Sequence, residues 1–346
     1  MKDVESKIRE WRKQGQPVAL ATVIQTWGSS PRKVGAKMAI TKEGGIAGSV
    51  SGGCVEGAVI EVGQSVLAGE RSRLLHFGVA DETAWGVGLA CGGEIDVFVE
   101  PLADEHFDLI RAAISDEDPV ATATVIDGPD DLLGRKLSAR GEQADPIVGS
   151  IHDSLDADVL DAIRPLLRRG RSAKVQLEAE SGQGIELFID VVPPPPVLVI
   201  VGGVHIAVAL AELAHTLGYR VTVIDPRRAF GSEDRFPDVD ALIQEWPQVG
   251  LAEMKLSTST AVAVLTHDPK IDDPALMIAL PSPAFYVGAL GSQRTQTKRR
   301  KRLQEAGLPA GDLDRLHGPI GLDIGAQSPE EIALAVMAEI VAAKRQ

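Results

Sequence analysis

"PVALATVI", residues 17–24, returns as "PVATATVI", residues 119–126, with a single change. The segments that follow each copy keep the same order. "GAKMAI" from Gly35 is echoed by "GRKLSA" from Gly134, and "GSVSGGCVEGAVIEV" from Gly48 by "GSIHDSLDADVLDAI" from Gly149. "GEIDVFVEP" from Gly93 is echoed by "GIELFIDVV" from Gly184. Agreement of order, spacing and element type over several blocks predicts a duplicated α+β unit, with copies at 1–102 and 103–190. The copies part at one place: Ser51, Gly52, Gly53 and Cys54 face His152, Asp153, Ser154 and Leu155. A strand framework that repeats without "SGGC" does not need those residues for its core, which makes them candidates for chemistry.

Working outward, Val4, Ile8 and Trp11 are spaced as one stripe of a first helix, and Val55, Val59, Val62 and Val66 as the buried face of a helix starting near Cys54. "VVPPPP", 191–196, is a linker by composition, because consecutive prolines lack amide donors and favour a stiff extended chain. Beyond it "VLVIVGG" reads as a buried strand, Ile206, Leu210, Leu213 and Leu217 as a helix face, and "YRVTVID" as a strand ending in Asp225. This is the βαβ start of a Rossmann-like domain over 197–346. Further strands are predicted at 261–266 and 284–290, and a last helix with Ser328 as N-cap, Pro329 first and Glu331 as capping-box acid. The expected fold class is α/β: an N-terminal, duplicated α+β unit joined by a Pro-rich linker to a C-terminal parallel-sheet domain.

With 35 basic and 49 acidic residues the net charge is −14, which repels a polyphosphate backbone, and no nucleic-acid partner is expected. No stretch approaches the ~20 apolar residues of a membrane span. Two cysteines and a charged opening without an apolar run lead to the expectation of a reduced, cytoplasmic protein.

Cys54 at a predicted helix N-terminus, where amides and dipole favour a thiolate, would attack sulfur or bind a soft metal. Gly52 and Gly53 would let amides approach a phosphate or oxyanion. The plainer reading is a small residue filling a tight turn. Cys91 has the same Cys-Gly-Gly neighbourhood, with Gly92 and Gly93 following it. Two cysteines are too few for a structural zinc cage. The loop "TWGSSPRKVGAKM", 26–38, offers Ser29, Ser30, Arg32 and Lys33 to a phosphate or polar heterocycle, or is a solvated hairpin. In "GGVHIA" Val204 stands where a dinucleotide fingerprint needs its second glycine, so Asp225, placed as a ribose-binding acid, gives only a weak NAD signal. The basic run Lys298 to Arg302 is either a solvated helix face or a docking stripe of Lys298, Arg299 and Arg302. His267 and Asp268 follow a strand where open sheets bind ligands.

"GSSPRKVGAKM", "GSVSGGCVEG", "CGGEIDVFVEP", "VTVIDPR", "THDPKIDDPAL", "FYVGALGSQRT" and "GPIGLDIGAQSPEEIALAVMAEIVA" together resemble the xanthine dehydrogenase accessory protein (XdhC/CoxI) family. The resemblance implies a cytoplasmic accessory factor, not a turnover enzyme. Such a factor binds the molybdenum cofactor, supports its sulfuration by a cysteine desulfurase and hands it to an apo molybdenum hydroxylase. The residues matched to this role are Ser29, Ser30, Arg32, Gly48, Ser49, Ser51, Gly52, Gly53, Cys54, Glu56, Cys91, Gly92, Gly93, Gly202, His205 and Asp225. Cys54 is a candidate molybdenum ligand, and Cys54 and Cys91 are candidate thiols with no catalytic role fixed for either. The chain departs from the family at "GGVHIA", where Gly-Ala-Gly-His-Val-Gly is usual, although His205 is kept. NAD(P) is therefore not expected. The alternatives are an NAD(P)-dependent oxidoreductase using the C-terminal domain, and a scaffold that only docks partners. A homodimer is left open.

Overall fold

A computed structural model of the chain describes residues 1–29, 32–53, 55–78, 93–141, 143–178 and 182–345. It divides into two compact units, Met1–Pro194 and Pro195–Gln346.

In the first unit the chain runs α1 (Lys2–Lys13), β1 (Val18–Trp27), β2 (Lys37–Thr41), β3 (Ile46–Gly48), α2 (Glu56–Leu67), β4 (Arg73–Phe77) and β5 (Glu94–Pro101). It then repeats as α3 (Asp104–Ser115), β6 (Val120–Asp127), β7 (Lys136–Arg140), β8 (Ile147–Gly149), α4 (Asp156–Arg169), β9 (Ala173–Glu178) and β10 (Gly184–Val192). The first five strands form an antiparallel sheet in the order β3-β2-β1-β5-β4, and the next five a sheet in the matching order β8-β7-β6-β10-β9. Even the bulge recurs. Register slips between Val23 and Gln25 against β5, and between Val125 and Asp127 against β10.

Alternation along the strands sorts each sheet into two faces. Ala19, Ala21, Val23, Val97 and Val99 pack with Val55, Val59, Val62 and Val66, so the valine stripe read from the sequence is the buried face of α2. That helix starts at Glu56, with Val55 as N-cap. On the opposite face Val18 and Leu20 meet the Val4, Ile8 and Trp11 stripe of α1. Further along this face the two sheets meet through Ile24, Phe98, Ile126 and Phe188.

Two crossed ion pairs flank that apolar contact. Lys37 Nζ lies 2.9 Å from the Asp190 carboxylate, and Lys136 Nζ lies 2.5 Å from that of Glu100. Each ammonium also donates to the threonine opposite it on its own sheet, Thr22 or Thr124, at 3.0 Å. Equivalent positions thus exchange equivalent contacts, as at the two-fold interface of a homodimer. Along the seam runs a cavity of about 40 Å³, lined by Lys37, Glu100, Lys136 and Asp190 among others. Glu100 Oε2 is buried there without a protein partner among the described residues. The space suffices for water to serve it.

The second unit contains β11 (Val197–Val201), α5 (His205–Thr216), β12 (Arg220–Ile224), β13 (Ala241–Ile243), α6 (Pro247–Gly250), β14 (Thr260–Val264) and α7 (Pro269–Ala279). It continues with β15 (Tyr286–Ala289), α8 (Gln293–Glu305), α9 (Ala310–Leu313), β16 (Leu316–His317) and α10 (Pro329–Arg345). Its six strands are parallel in the order β13-β12-β11-β14-β15-β16. α5 and α10 pack on one face, α7 and α8 on the other. The fold class read from the sequence is the one observed. The capping box of α10 is present as well, with Ser328 accepting from the Glu331 amide at 3.2 Å and Glu331 accepting from that of Ser328 at 3.0 Å.

The docking stripe of Lys298, Arg299 and Arg302, the alternative to a solvated face on α8, does not form. Arg299 is 1% exposed and paired with the equally buried Asp272 at 2.7 Å. Arg302 grips Asp273 through two bonds of 2.6 and 2.9 Å. Facing carboxylates from α7 turn this stretch inward, and Lys298 and Lys301 stay at the surface.

Candidate functional site

Antiparallel pairing brings the strand ends that flank three connections to one end of the first sheet. β1 ends there at Trp27, β3 at Gly48 and β4 at Phe77, while β2 and β5 begin there. The connections 28–36, 49–55 and 78–93 carry the N-terminal candidate residues except Gly48, the last residue of β3, and Glu56, the first of α2. Of these, Ser30, Cys54, Cys91 and Gly92 lie outside the described residues. Two contacts fix described parts of these connections. The Ser49 amide donates to the Lys37 carbonyl at 3.1 Å. A Cβ at Gly93 would collide with the backbone oxygens of Ser29 and Trp27.

Glu56 organises the loop before α2. Its Oε1 accepts from the Ser49 hydroxyl at 2.6 Å and from the amides of Ser51 and Gly52 at 2.9 and 3.1 Å. Its Oε2 accepts from the Ser51 hydroxyl at 2.5 Å and from the Gly53 amide at 2.9 Å. Burial alone would raise this carboxyl, but the bonds from Ser49 and Ser51 outweigh it and hold the group at about 2. The amides assigned from sequence to a phosphate or oxyanion are thus already filled by the protein's own carboxylate. Asp156 does a reduced version of this in the second copy, accepting from the amides of Ile151 and His152 at 2.9 and 3.2 Å.

Gly48 has a packing reason that both repeats share. At φ +75° its Cβ would strike the Lys37 carbonyl and Val4, as a Cβ at Gly149 would strike the Lys136 carbonyl and His106. Gly52 and Gly53, at φ +82° and +122°, occur only in the first copy. Ser29 is exposed, and Arg32 is paired with Asp3 at 3.0 Å.

One pair escaped the sequence reading. His76 on β4 and Asp96 on β5 are direct register partners, and His76 Nδ1 lies 2.7 Å from Asp96 Oδ1. Asp96 is 11% exposed and His76 59%, so a sheltered carboxylate orients a solvent-facing imidazole. The Trp27 and His76 rings are steeply inclined to each other, at 68°, with centroids 5.9 Å apart. Among the described residues no group of three His, Cys, Asp or Glu side chains is placed to hold a metal ion.

In the second unit the chain reverses direction across the sheet between β11 and β14, where open α/β sheets bind ligands. Gly202 and Gly203 are needed there for close packing: a Cβ on the first would strike Thr266, and on the second the Phe230 carbonyl. Val204 caps α5 and His205 opens it, exposed. Asp225 is fully buried and saturated. Its oxygens accept from the Gly203 amide at 2.8 Å, the Arg227 amide at 2.9 Å and the Arg227 fork at 2.9 and 2.7 Å. Burial works against its charge, yet these bonds hold its carboxyl below the usual range. No oxygen is left over for a ribose hydroxyl.

Behind this edge Asp272 receives the Thr266 hydroxyl and Arg299, while Arg299 also donates to the Leu290 carbonyl at 3.0 Å and to Gln296 at 2.7 Å. Burial pushes the Asp272 carboxyl up to about 6 despite these partners.

Residues 198–340 match the XdhC Rossmann domain, and residues 11–78 match the XdhC and CoxI family. A Bacillus subtilis protein, named as a probable component of xanthine dehydrogenase, is 30% identical over 336 residues, 96% of this chain and 94% of its own length. The chain belongs to the XdhC/CoxI family. The molybdenum cofactor insertion chaperone PaoD of Escherichia coli is 27% identical over 331 residues, 95% of this chain and 84% of its own. A crystal structure described as a xanthine dehydrogenase from Bacillus halodurans superposes with a TM-score of 0.68 at 26% identity, covering 99% of this chain and 95% of that one. Within the first repeat, the XdhC and CoxI match takes in the loops 28–36 and 49–55 and ends just past His76. Among the described residues no helix is long and apolar enough to cross a membrane.

Proposed function

We propose that this chain is a maturation factor for a molybdenum hydroxylase. It holds the molybdenum cofactor as cargo at the loop-bearing end of its first sheet and supports its sulfuration by a cysteine desulfurase. It then passes the cofactor to a client of the xanthine dehydrogenase type. The observation that carries this reading is that the strand ends flanking the three candidate connections lie together at one end of the first sheet. In the second sheet the same end has lost the Gly-Gly-Cys sequence. Cys54 is the proposed thiol for metal or sulfur, as an element of sequence between Gly53 and Val55. The relatives named for cofactor insertion and for xanthine dehydrogenase support the cargo and the client. The role is that of an accessory protein working in the cytoplasm, with no turnover of its own.

The rival, an NAD(P)-dependent oxidoreductase, would place a dinucleotide on the second unit. Saturation of Asp225 and the side chain of Val204 speak against it. The deciding experiment is reconstitution of an apo molybdenum hydroxylase with cofactor, desulfurase and sulfur donor. Activity should rise several-fold when this chain is present and fall back with Cys54→Ala. Equal activation with and without the chain overturns the reading.

A further inference from the structure

The corner formed by Trp27, His76 and Asp96 is absorbed by neither the packing of the fold nor the thiol chemistry proposed above. Trp27 is 40% exposed at the last position of β1, in register with Glu94. The His76 side chain faces solvent, yet its ring is fixed by a nearly buried carboxylate. When Nδ1 donates to Asp96, Nε2 carries the lone pair and points away from the carboxylate. Among the described residues no group bonds Nε2.

The second sheet supplies the control. Register places Gln176 where His76 stands and Glu186 where Asp96 stands, with Asp127 in place of Gln25. Two positions beyond Asp127 the chain has Pro129 where the first copy has Trp27. There Glu186 is taken by Lys174 at 3.0 Å, and the groove at that end is lined by Asp127, Glu178 and Glu186. The same strands fold there with no aromatic ring and no imidazole. The framework therefore does not require Trp27 or His76.

From this juxtaposition we infer that Trp27 and His76 hold the planar heterocycle of the cargo: its face lies against the indole, and a ring N–H donates to His76 Nε2. The chemical class is a pterin or a closely related fused nitrogen heterocycle, which offers both a stacking face and in-plane N–H donors. Asp96 is a positioning residue that sets the tautomer and aim of the imidazole. The assignment also separates the two ends of the ligand. The amides of Ser51, Gly52 and Gly53 are filled by Glu56, so recognition at this sheet end rests on the ring system and not on a phosphate in that loop. This inference rests on the molybdenum cofactor being the cargo.

The test uses full-length protein and molybdenum cofactor released from a purified molybdenum hydroxylase. The retained pterin is measured after gel filtration by oxidation to its fluorescent derivative. His76→Gln copies the second repeat, Trp27→Leu removes the ring, and Trp27→Phe restores a face. Retention should fall at least tenfold in the first two and return to within about threefold of the original in Trp27→Phe, with melting temperatures unchanged. Full retention in both His76→Gln and Trp27→Leu overturns the inference and leaves the cargo reading standing. Failure of the unaltered chain to retain any pterin overturns both. If Trp27→Leu does not fold, His76→Gln, at an exposed position, decides alone.

Discussion

Lys37 of the first repeat and Asp190 of the second meet at 2.9 Å with only 4% and 12% of their side-chain surfaces exposed. Burial alone would raise the Asp190 carboxyl, and the charge of Lys37 reverses that and lowers it. Removing one partner of such a pair leaves an uncompensated buried charge. Lys37→Ala should therefore destabilise the first unit by about 3–5 kcal/mol in urea titrations, while Lys37→Met with Asp190→Leu should cost much less. Equal losses in the single and double variants would show that the pair is not coupled.

Glu56→Ala takes the acceptor from three amides and two hydroxyls at once. A loss of about 1–2 kcal/mol is expected, near that of a strong helix cap. Glu56→Gln should also speed alkylation of Cys54, followed by mass spectrometry, because a full negative charge two residues away no longer opposes the thiolate. A carboxyl held at about 2 stabilises the fold fully above its unfolded value near 4.5, and that contribution fades as pH falls from there toward 2.

His106 gives a second, separate pH effect. Burial, and then the charge of Lys136, lowers its folded-state value to about 4. The unfolded chain takes up the proton first, so stability should decline as pH falls from about 6.5 toward 4. In His106→Gln the melting temperature should lose less over that window. Identical slopes in the two proteins would remove His106 from the account.

Asp272→Ala should cost about 3–5 kcal/mol, since Arg299 would remain buried without its counter-charge. Lys298→Glu, on the exposed face of α8, should stay within about 0.5 kcal/mol. Thermal melts of the two variants test the inward reading of α8.

Calorimetry with NADH and NADPH should give no dissociation constant at or below about 1 μM, a scale typical of specific cofactor sites. Asp225→Asn, which spoils the fork with Arg227, should lower stability without creating a nucleotide site. Tight binding by the unaltered chain would mean that the Arg227 fork opens for a ribose.

The repeat and the βαβ start were legible because periodicity and order survive divergence. So was the valine face of α2. What stayed hidden depended on partners far away in sequence. Glu56 follows Ser49 and Ser51 at spacings that match no capping box, so its grip on the loop appears only once the chain has turned. His76 and Asp96 meet solely through β4–β5 pairing, across a connection whose length sets no register. The basic run of α8 was placed correctly on a helix, but helical geometry cannot say which side faces inward when the counter-charges, Asp272 and Asp273, belong to another helix.

The seam between the two sheets has the reciprocity of a homodimer interface but is covalently closed by a single chain. A dimer built on the same contacts would dissociate on dilution, and every mutation in it would strike both halves at once. Here association is intramolecular, independent of concentration, and set by a short connection from β5 into α3. Each surface end of the pair can also change alone. That freedom lets Trp27 and His76 occupy one end while the other has Pro129 and Gln176. Within one chain, a substitution at one sheet end leaves the other end, and the shared core between them, unchanged.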